Sequence, residues 1–138
     1  MFSQVAYKRL FFVGALWNLG IGLTGIVATN FAMLLFFGTQ GADSIAGNLI
    51  ATLFVRLFMS AVVIFGIGYY LVSLNLNKNR AVIGLGLISK ILLFLIFTYL
   101  YFTGIATLLG FLTLVGDFVF SIFFIIWLVD WKIPERIG

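Results

Sequence analysis

Cysteine and histidine are both absent from the chain, and proline occurs once, at Pro134. Without cysteine there is no disulfide framework and no thiol chemistry. Without histidine as well, Ser/His and Cys/His nucleophile pairs, c-type haem attachment and nearly all zinc, copper and haem ligation drop out. No cofactor or metal is indicated. Charge is the next shortage: 8 Lys or Arg and 4 Asp or Glu make up 9% of 138 residues, against about 25% in soluble domains. So few charged side chains cannot cover the surface of a soluble fold of this size.

What fills the chain instead is apolar. Hydrophobic residues reach 64%, including 17 Phe, a composition that takes lipid as its solvent. The length is that of one domain. The net charge of +4 is spread in small basic clusters at the ends of apolar segments. No stripe of them could follow a phosphate backbone, so nucleic acid is not an expected partner.

Four apolar stretches, at about 10–28, 50–74, 81–102 and 106–129, are each long enough to cross a hydrocarbon core of about 30 Å, which takes about 20 helical residues. None contains proline, and Pro134 follows the last of them, where it can end a helix without cost. Lys8 and Arg9 precede span 1, Lys78 and Arg80 sit between spans 2 and 3, and Lys132 and Arg136 follow span 4. The two opposite connections carry no Lys or Arg, only Asp43 in the first. The positive-inside rule then predicts an all-α, integral-membrane four-helix bundle with both termini in the cytoplasm. Tyr7, Tyr69, Tyr70, Trp127 and Trp131 are expected as anchors at one interface, and Tyr99 and Tyr101 at the other. Span 1 exceeds the 7–15 apolar residues of a signal peptide and has no clean A-x-A site after it, so it reads as a retained span. The stretch Phe31 to Phe37 is apolar but too short to span. It reads as an interfacial helical turn or shallow re-entrant piece leading into a Gly38–Gly47 loop, with a plain loop as the alternative.

Each span carries one strongly polar residue at mid-depth: Asn18, Arg56, Lys90 and Asp117. Each also lies on a stripe of 3–4 spacing that holds one helix face. The stripes are Gly14, Asn18, Gly22, Gly25; Asn48, Thr52, Arg56, Ser60; Gly86, Lys90, Phe94, Phe97, Tyr101; and Gly110, Thr113, Asp117, Ser121. Small faces allow close helix approach, and a charge facing lipid at mid-bilayer costs at least about 2.5–3.5 kcal/mol. All four polar residues are therefore expected to meet inside the bundle, either as an architectural ion pair fixing helix register or as the lining of a site. Two bases against one acid leave a surplus positive charge that calls for a deprotonated Lys90, an anion or a polarised carbonyl. Trp17, Ser60, Thr113 and Ser121 are secondary candidates; for Trp17, packing is the main reading. Gly20-Ile-Gly22 and Gly84-Leu-Gly86 have no strand before them and read as helix-packing sites, not as a nucleotide fingerprint. Gly20/Gly84, Arg56/Asp117 and Ser60/Ser121 align loosely at offsets of 61–64 residues, which fits either an old parallel duplication or the matches that arise readily between apolar segments.

The stretch Gly68-Tyr-Tyr-Leu-Val-Ser-Leu-Asn-Leu-Asn-Lys-Asn-Arg80, then Gly84-Leu-Gly-Leu-Ile-Ser-Lys90 and Gly116-Asp117, resembles small bacterial four-span proteins similar in architecture to the DoxX-like group. The resemblance covers spans 2 to 4. It implies a bacterial inner-membrane setting and a four-helix bundle, and it assigns no activity. Three functions are consistent with these features. The first is a binding or accessory protein that holds a lipid- or quinone-like amphiphile at the polar layer, alone, as a homo-oligomer or in a larger membrane complex. The second is a small oligomeric transporter or channel with Lys90 and Asp117 as an ion or proton relay. An enzyme is the least favoured, because only Lys- or Asp-based chemistry remains open to it.

Overall fold

The computed structural model describes residues 3–130. Trp131, Lys132, Pro134 and Arg136, which carry expectations for the end of span 4, lie outside the described residues. Five helices follow one another: α1 (Gln4–Val27), α2 (Thr29–Ile45), α3 (Leu49–Leu74), α4 (Arg80–Phe102) and α5 (Leu108–Asp130). Of these, α1, α3, α4 and α5 are long and apolar enough to cross a membrane. Their bounds match the four expected spans to within two residues, except that α1 begins six residues early. There the Ser3 side chain accepts a hydrogen bond from the Ala6 amide at 3.2 Å and starts the helix before the first apolar residues of the span. Asn48 does the same for α3, accepting from the Ala51 amide at 3.0 Å. At the α3–α4 turn Asn79 donates to the carbonyls of Leu71 and Asn75, satisfying the open end of α3.

α2 makes helix of the Phe31–Phe37 stretch, as the reading of a helical turn or re-entrant piece expected, and replaces most of the expected Gly38–Gly47 loop. It starts one residue after α1 and continues through most of the expected Gly38–Gly47 loop. The apolar run ends at Phe37, but helix does not. Gly38, at φ 68° and ψ −163°, kinks the helix there, in a region of backbone space open to glycine and costly for other residues. The kink releases the carbonyls of Leu35 and Phe36, and Thr107 accepts the task of satisfying both. Its hydroxyl donates to each of them and its amide donates to the Phe36 oxygen at 2.9 Å. The same hydroxyl accepts from the Gly110 amide at 3.0 Å, so one threonine caps α5 and closes the break in α2.

The most intimate helix pair is α1 with α3, followed by α4 with α5. A Cβ on Gly22 would lie 2.7 Å from the Val63 side chain and 2.9 Å from the Met59 carbonyl oxygen, and one on Gly66 would lie 2.9 Å from Leu19. Small residues on both helices let the backbones approach that closely. In the two GxG pieces only the second glycine packs: Gly22 and Gly86 face neighbours, while Gly20 and Gly84 have nothing within 4 Å of a Cβ position.

The core lies at one end of the bundle, where α1 begins, α3 ends, α4 begins and α5 ends. Tyr7, Phe11, Tyr69, Phe124 and Trp127 are buried there, with Val72 and Ile83. The Phe11 and Phe124 rings stack at 4.7 Å, and Tyr69 meets Phe124 edge-on at 5.3 Å. Tyr7, Tyr69 and Trp127 are therefore core residues and not the interfacial anchors the sequence suggested. The Tyr7 hydroxyl donates to Asp130 at 2.8 Å, tying the start of α1 to the end of α5. Tyr70 and Tyr99 are exposed, as anchors would be. On the outer surface Leu57, Ile64, Ile88 and Leu95 are each more than half exposed. An apolar exterior this continuous requires apolar surroundings or a partner.

Candidate functional site

Below the aromatic core the packing opens, and a cluster of three polar side chains marks the boundary. Lys90 of α4 is 2% exposed and Asp117 of α5 is 9% exposed. The Lys90 ammonium forms an ion pair with Asp117 Oδ1 and donates to Asn18 Oδ1 on α1 at 3.2 Å. Asn18 in turn donates through Nδ2 to the Val62 carbonyl of α3 at 3.5 Å. One chain of contacts thus links α1, α3, α4 and α5. Lys90 Nζ also lies 5.3 Å from the Tyr69 ring centroid and 5.6 Å from that of Phe120. Aromatic faces there attract the cation in addition to the carboxylate. Ser121 is buried one turn beyond Asp117 and donates to its backbone carbonyl at 3.0 Å.

Arg56 does not join this cluster, which corrects the expectation that all four polar residues meet. It is exposed, and its Nε donates to Thr29 Oγ1 at 3.0 Å instead of to any member of the cluster. Along α3 it lies six residues before Val62, about 9 Å at 1.5 Å per residue. The buried face of α3 is instead Met59, Gly66, Tyr69 and Ser73. Its small residues, Gly66 and Ser73, sit at 3–4 spacing with Tyr69 and were a legible signal for that face. The cost of a charge at mid-bilayer favours turning the Arg56 stripe inward. Seven residues into a helix, however, a long Arg side chain can reach back to the helix end. With Arg56 outside, the buried charges among the described residues are one base, Lys90, and one acid, Asp117, so the surplus positive charge expected of this layer is not found there.

The secondary candidates divide. Ser60 donates to the Arg56 carbonyl at 2.8 Å and makes no hydrogen bond to Lys90, Asp117 or Asn18. Trp17 is 39% exposed and packs over Gly116 on another face of α1. Thr113 donates to the Leu109 carbonyl at 2.9 Å and its side chain faces the opening described next. The proposed duplication does not correspond to equivalent places, since Arg56 is exposed where Asp117 is buried.

Beside the ion pair lies a cavity of about 440 Å³, open on one side and lined by residues of α1, α2, α3, α4 and α5. Its walls are apolar, including Met33, Phe37, Phe58, Met59 and Leu93, and its polar lining comes from Asn18, Thr113 and Asp117. Sequence reasoning missed the α2 contribution, Met33, Phe36 and Phe37, because that segment was too short to count as a span. The break at Gly38 and the Thr107 contacts hold it against α5. Of the two Asp117 carboxylate oxygens, Oδ1 faces Lys90, and among the described residues no side chain donates to Oδ2. Comparison with protein-family models, with curated proteins and with solved structures finds no significant match for this chain.

Proposed function

We propose that the chain is a multi-pass protein of a bacterial inner membrane, with both termini cytoplasmic, that binds an amphiphile in the cavity beside Lys90 and Asp117. The supporting observation is the cavity itself: about 440 Å³, walled by apolar side chains, with Asn18, Thr113 and Asp117 as its polar lining. Ligand sites characteristically combine a largely apolar wall with a few converging polar groups.

The chemistry of those groups narrows the ligand. Thr113 already directs its hydroxyl hydrogen to a backbone carbonyl, and Asp117 offers an acceptor oxygen. Asn18 gives one amide hydrogen to Val62 and keeps a second. A hydroxyl head satisfies both partners by donating to Asp117 and accepting from Asn18. A carboxylate or phosphate head would face the Asp117 charge with Lys90 already paired. The reading is therefore a long apolar molecule ending in a neutral hydroxyl, such as an isoprenoid alcohol or a quinol.

Purified protein tests this directly. The double variant Lys90→Met/Asp117→Leu removes the polar end of the cavity and both charges together, and it should fold. Wild-type protein should retain a hexadecyl alcohol probe through gel filtration and should not retain hexadecanoate; the double variant should lose the alcohol. Equal retention of the alcohol by a folded double variant sinks the reading. A relay of ions or protons through Lys90 and Asp117 predicts something else: flux into liposomes that the double variant abolishes, with no alcohol retained.

A further inference from the structure

Arg56 is a charged side chain within an apolar helix that the amphiphile site does not use, and a second groove lies beside it. It lines a groove of about 470 Å³ together with Thr29, Asn30, Ala46, Gly47 and Thr52. The groove lies at the end of the bundle opposite Lys8, Arg9, Lys78 and Arg80, where α1 ends and α3 begins. Thr29 Oγ1 donates to the Ile26 carbonyl at 3.3 Å and accepts from Arg56 Nε, so the guanidinium has a defined direction. Its two terminal amino groups have no partner among the described residues, and no carboxylate there lies within ion-pair distance.

The position of this charge along its helix matters. Arg56 follows Leu49, the first residue of α3, by seven residues, about 10 Å. Helical side chains lean toward the N-terminus, and arginine stems extend along apolar surface to bring the head to the boundary. The guanidinium therefore reaches the level where a bilayer presents its phosphates. Fixed at Nε by Thr29, it offers two adjacent N–H groups in the planar fork that matches a phosphate bidentately. Asn30, exposed on the groove wall, adds an amide donor.

We propose that this groove binds a phosphate group, with Arg56 as the anchoring residue and Thr29 as the residue that orients it. The proposal rests on α3 crossing the membrane and is independent of the amphiphile cavity. Two sources share this chemistry, a phospholipid headgroup and a soluble phosphate compound.

The test uses the full chain, purified and delipidated in neutral detergent, with phosphatidylglycerol, diacylglycerol of the same acyl chains and inorganic phosphate as probes. Native mass spectrometry and calorimetry read the binding. Phosphatidylglycerol should bind roughly tenfold more tightly than diacylglycerol, the size of one charge-assisted contact. Arg56→Gln should abolish that preference. Asn30→Asp, at an exposed position, should also abolish it by repulsion, and it supplies the answer if Arg56→Gln fails to fold. Inorganic phosphate displacing the lipid at equal concentration assigns the groove to soluble phosphate compounds, and lipid that resists displacement assigns it to phospholipid; either supports the proposal. Equal affinity for phosphatidylglycerol and diacylglycerol, or a preference that survives substitution in a folded protein, overturns it.

Discussion

At the scale of single residues, the contrast between Lys90 and Arg56 is informative. Both are cations in apolar helices, yet one is sealed inside against Asp117 and Asn18 while the other is exposed against Thr29. Their energetic consequences differ accordingly. Asp117→Ala leaves the Lys90 ammonium buried without its carboxylate, and breaking such a pair typically costs about 3–5 kcal/mol. Asp43, exposed near the end of α2, stands in the range of surface charges, about 0–1 kcal/mol. Thermal unfolding in detergent should therefore show a large loss for Asp117→Ala and little for Asp43→Ala. Lys90→Met alone should be as damaging as Asp117→Ala, because Arg56 is not placed to neutralise the abandoned carboxylate. The double variant Lys90→Met/Asp117→Leu should recover most of the loss. A double variant no more stable than either single one would mean that the two side chains are not a closed pair.

At the scale of elements, α2 and its contact with the start of α5 decide the shape of the cavity. Thr107 caps α5 and satisfies the carbonyls released at Gly38. Thr107→Val removes the cap and the hydroxyl bond to the Leu35 carbonyl, leaving the amide bond to Phe36, and should cost about 1–2 kcal/mol, as loss of a helix cap does. Thr107→Ser keeps the hydroxyl and should restore stability, a difference that melting temperatures in one detergent would resolve. Gly38→Ala places a Cβ at φ 68° and ψ −163° and should cost about 1–3 kcal/mol through backbone strain alone. Were Gly38→Ala neutral, the α2 break would not be the rigid feature that positions Phe36 and Phe37. The sequence carried a partial signal for α2: an apolar run from Phe31 to Phe37. It carried none for the continuation past Gly38, because residues 39–45 lack an apolar period and become helical only where Gly41 and Ile45 find cover.

At the scale of the whole molecule, packing is uneven from end to end. The aromatic core around Phe11, Tyr69, Phe124 and Trp127 fills the end near Lys78 and Arg80, while both the cavity and the Arg56 groove occur toward the other. The proposed orientation puts the dense end at the cytoplasm. Reporter fusions within the turn at residues 75–80 and after Gly138 should score cytoplasmic. An epitope inserted at Gly47, which has open space around it, should score external. An external signal from the 75–80 turn would exclude the proposed topology.

Composition and hydropathy by themselves determined the four long helices, the lack of strands among the described residues, and the absence of thiol and imidazole chemistry. They could do so because a run of about 20 apolar residues is a one-dimensional property that needs no partner to be read. Small-residue stripes on α1 and α5, and Gly86 one turn before Lys90 on α4, likewise pointed to the inward positions of Asn18, Asp117 and Lys90. What the tertiary structure decided was which face of α3 turns inward, and with it the exclusion of Arg56, the neutral charge balance of the interior and the placement of Tyr7, Tyr69 and Trp127 in the core. A helix that is apolar nearly all round has no intrinsic inner side. Its rotation is fixed by the fit of neighbours, here Gly22 against Met59 and Val63, and Leu19 against Gly66.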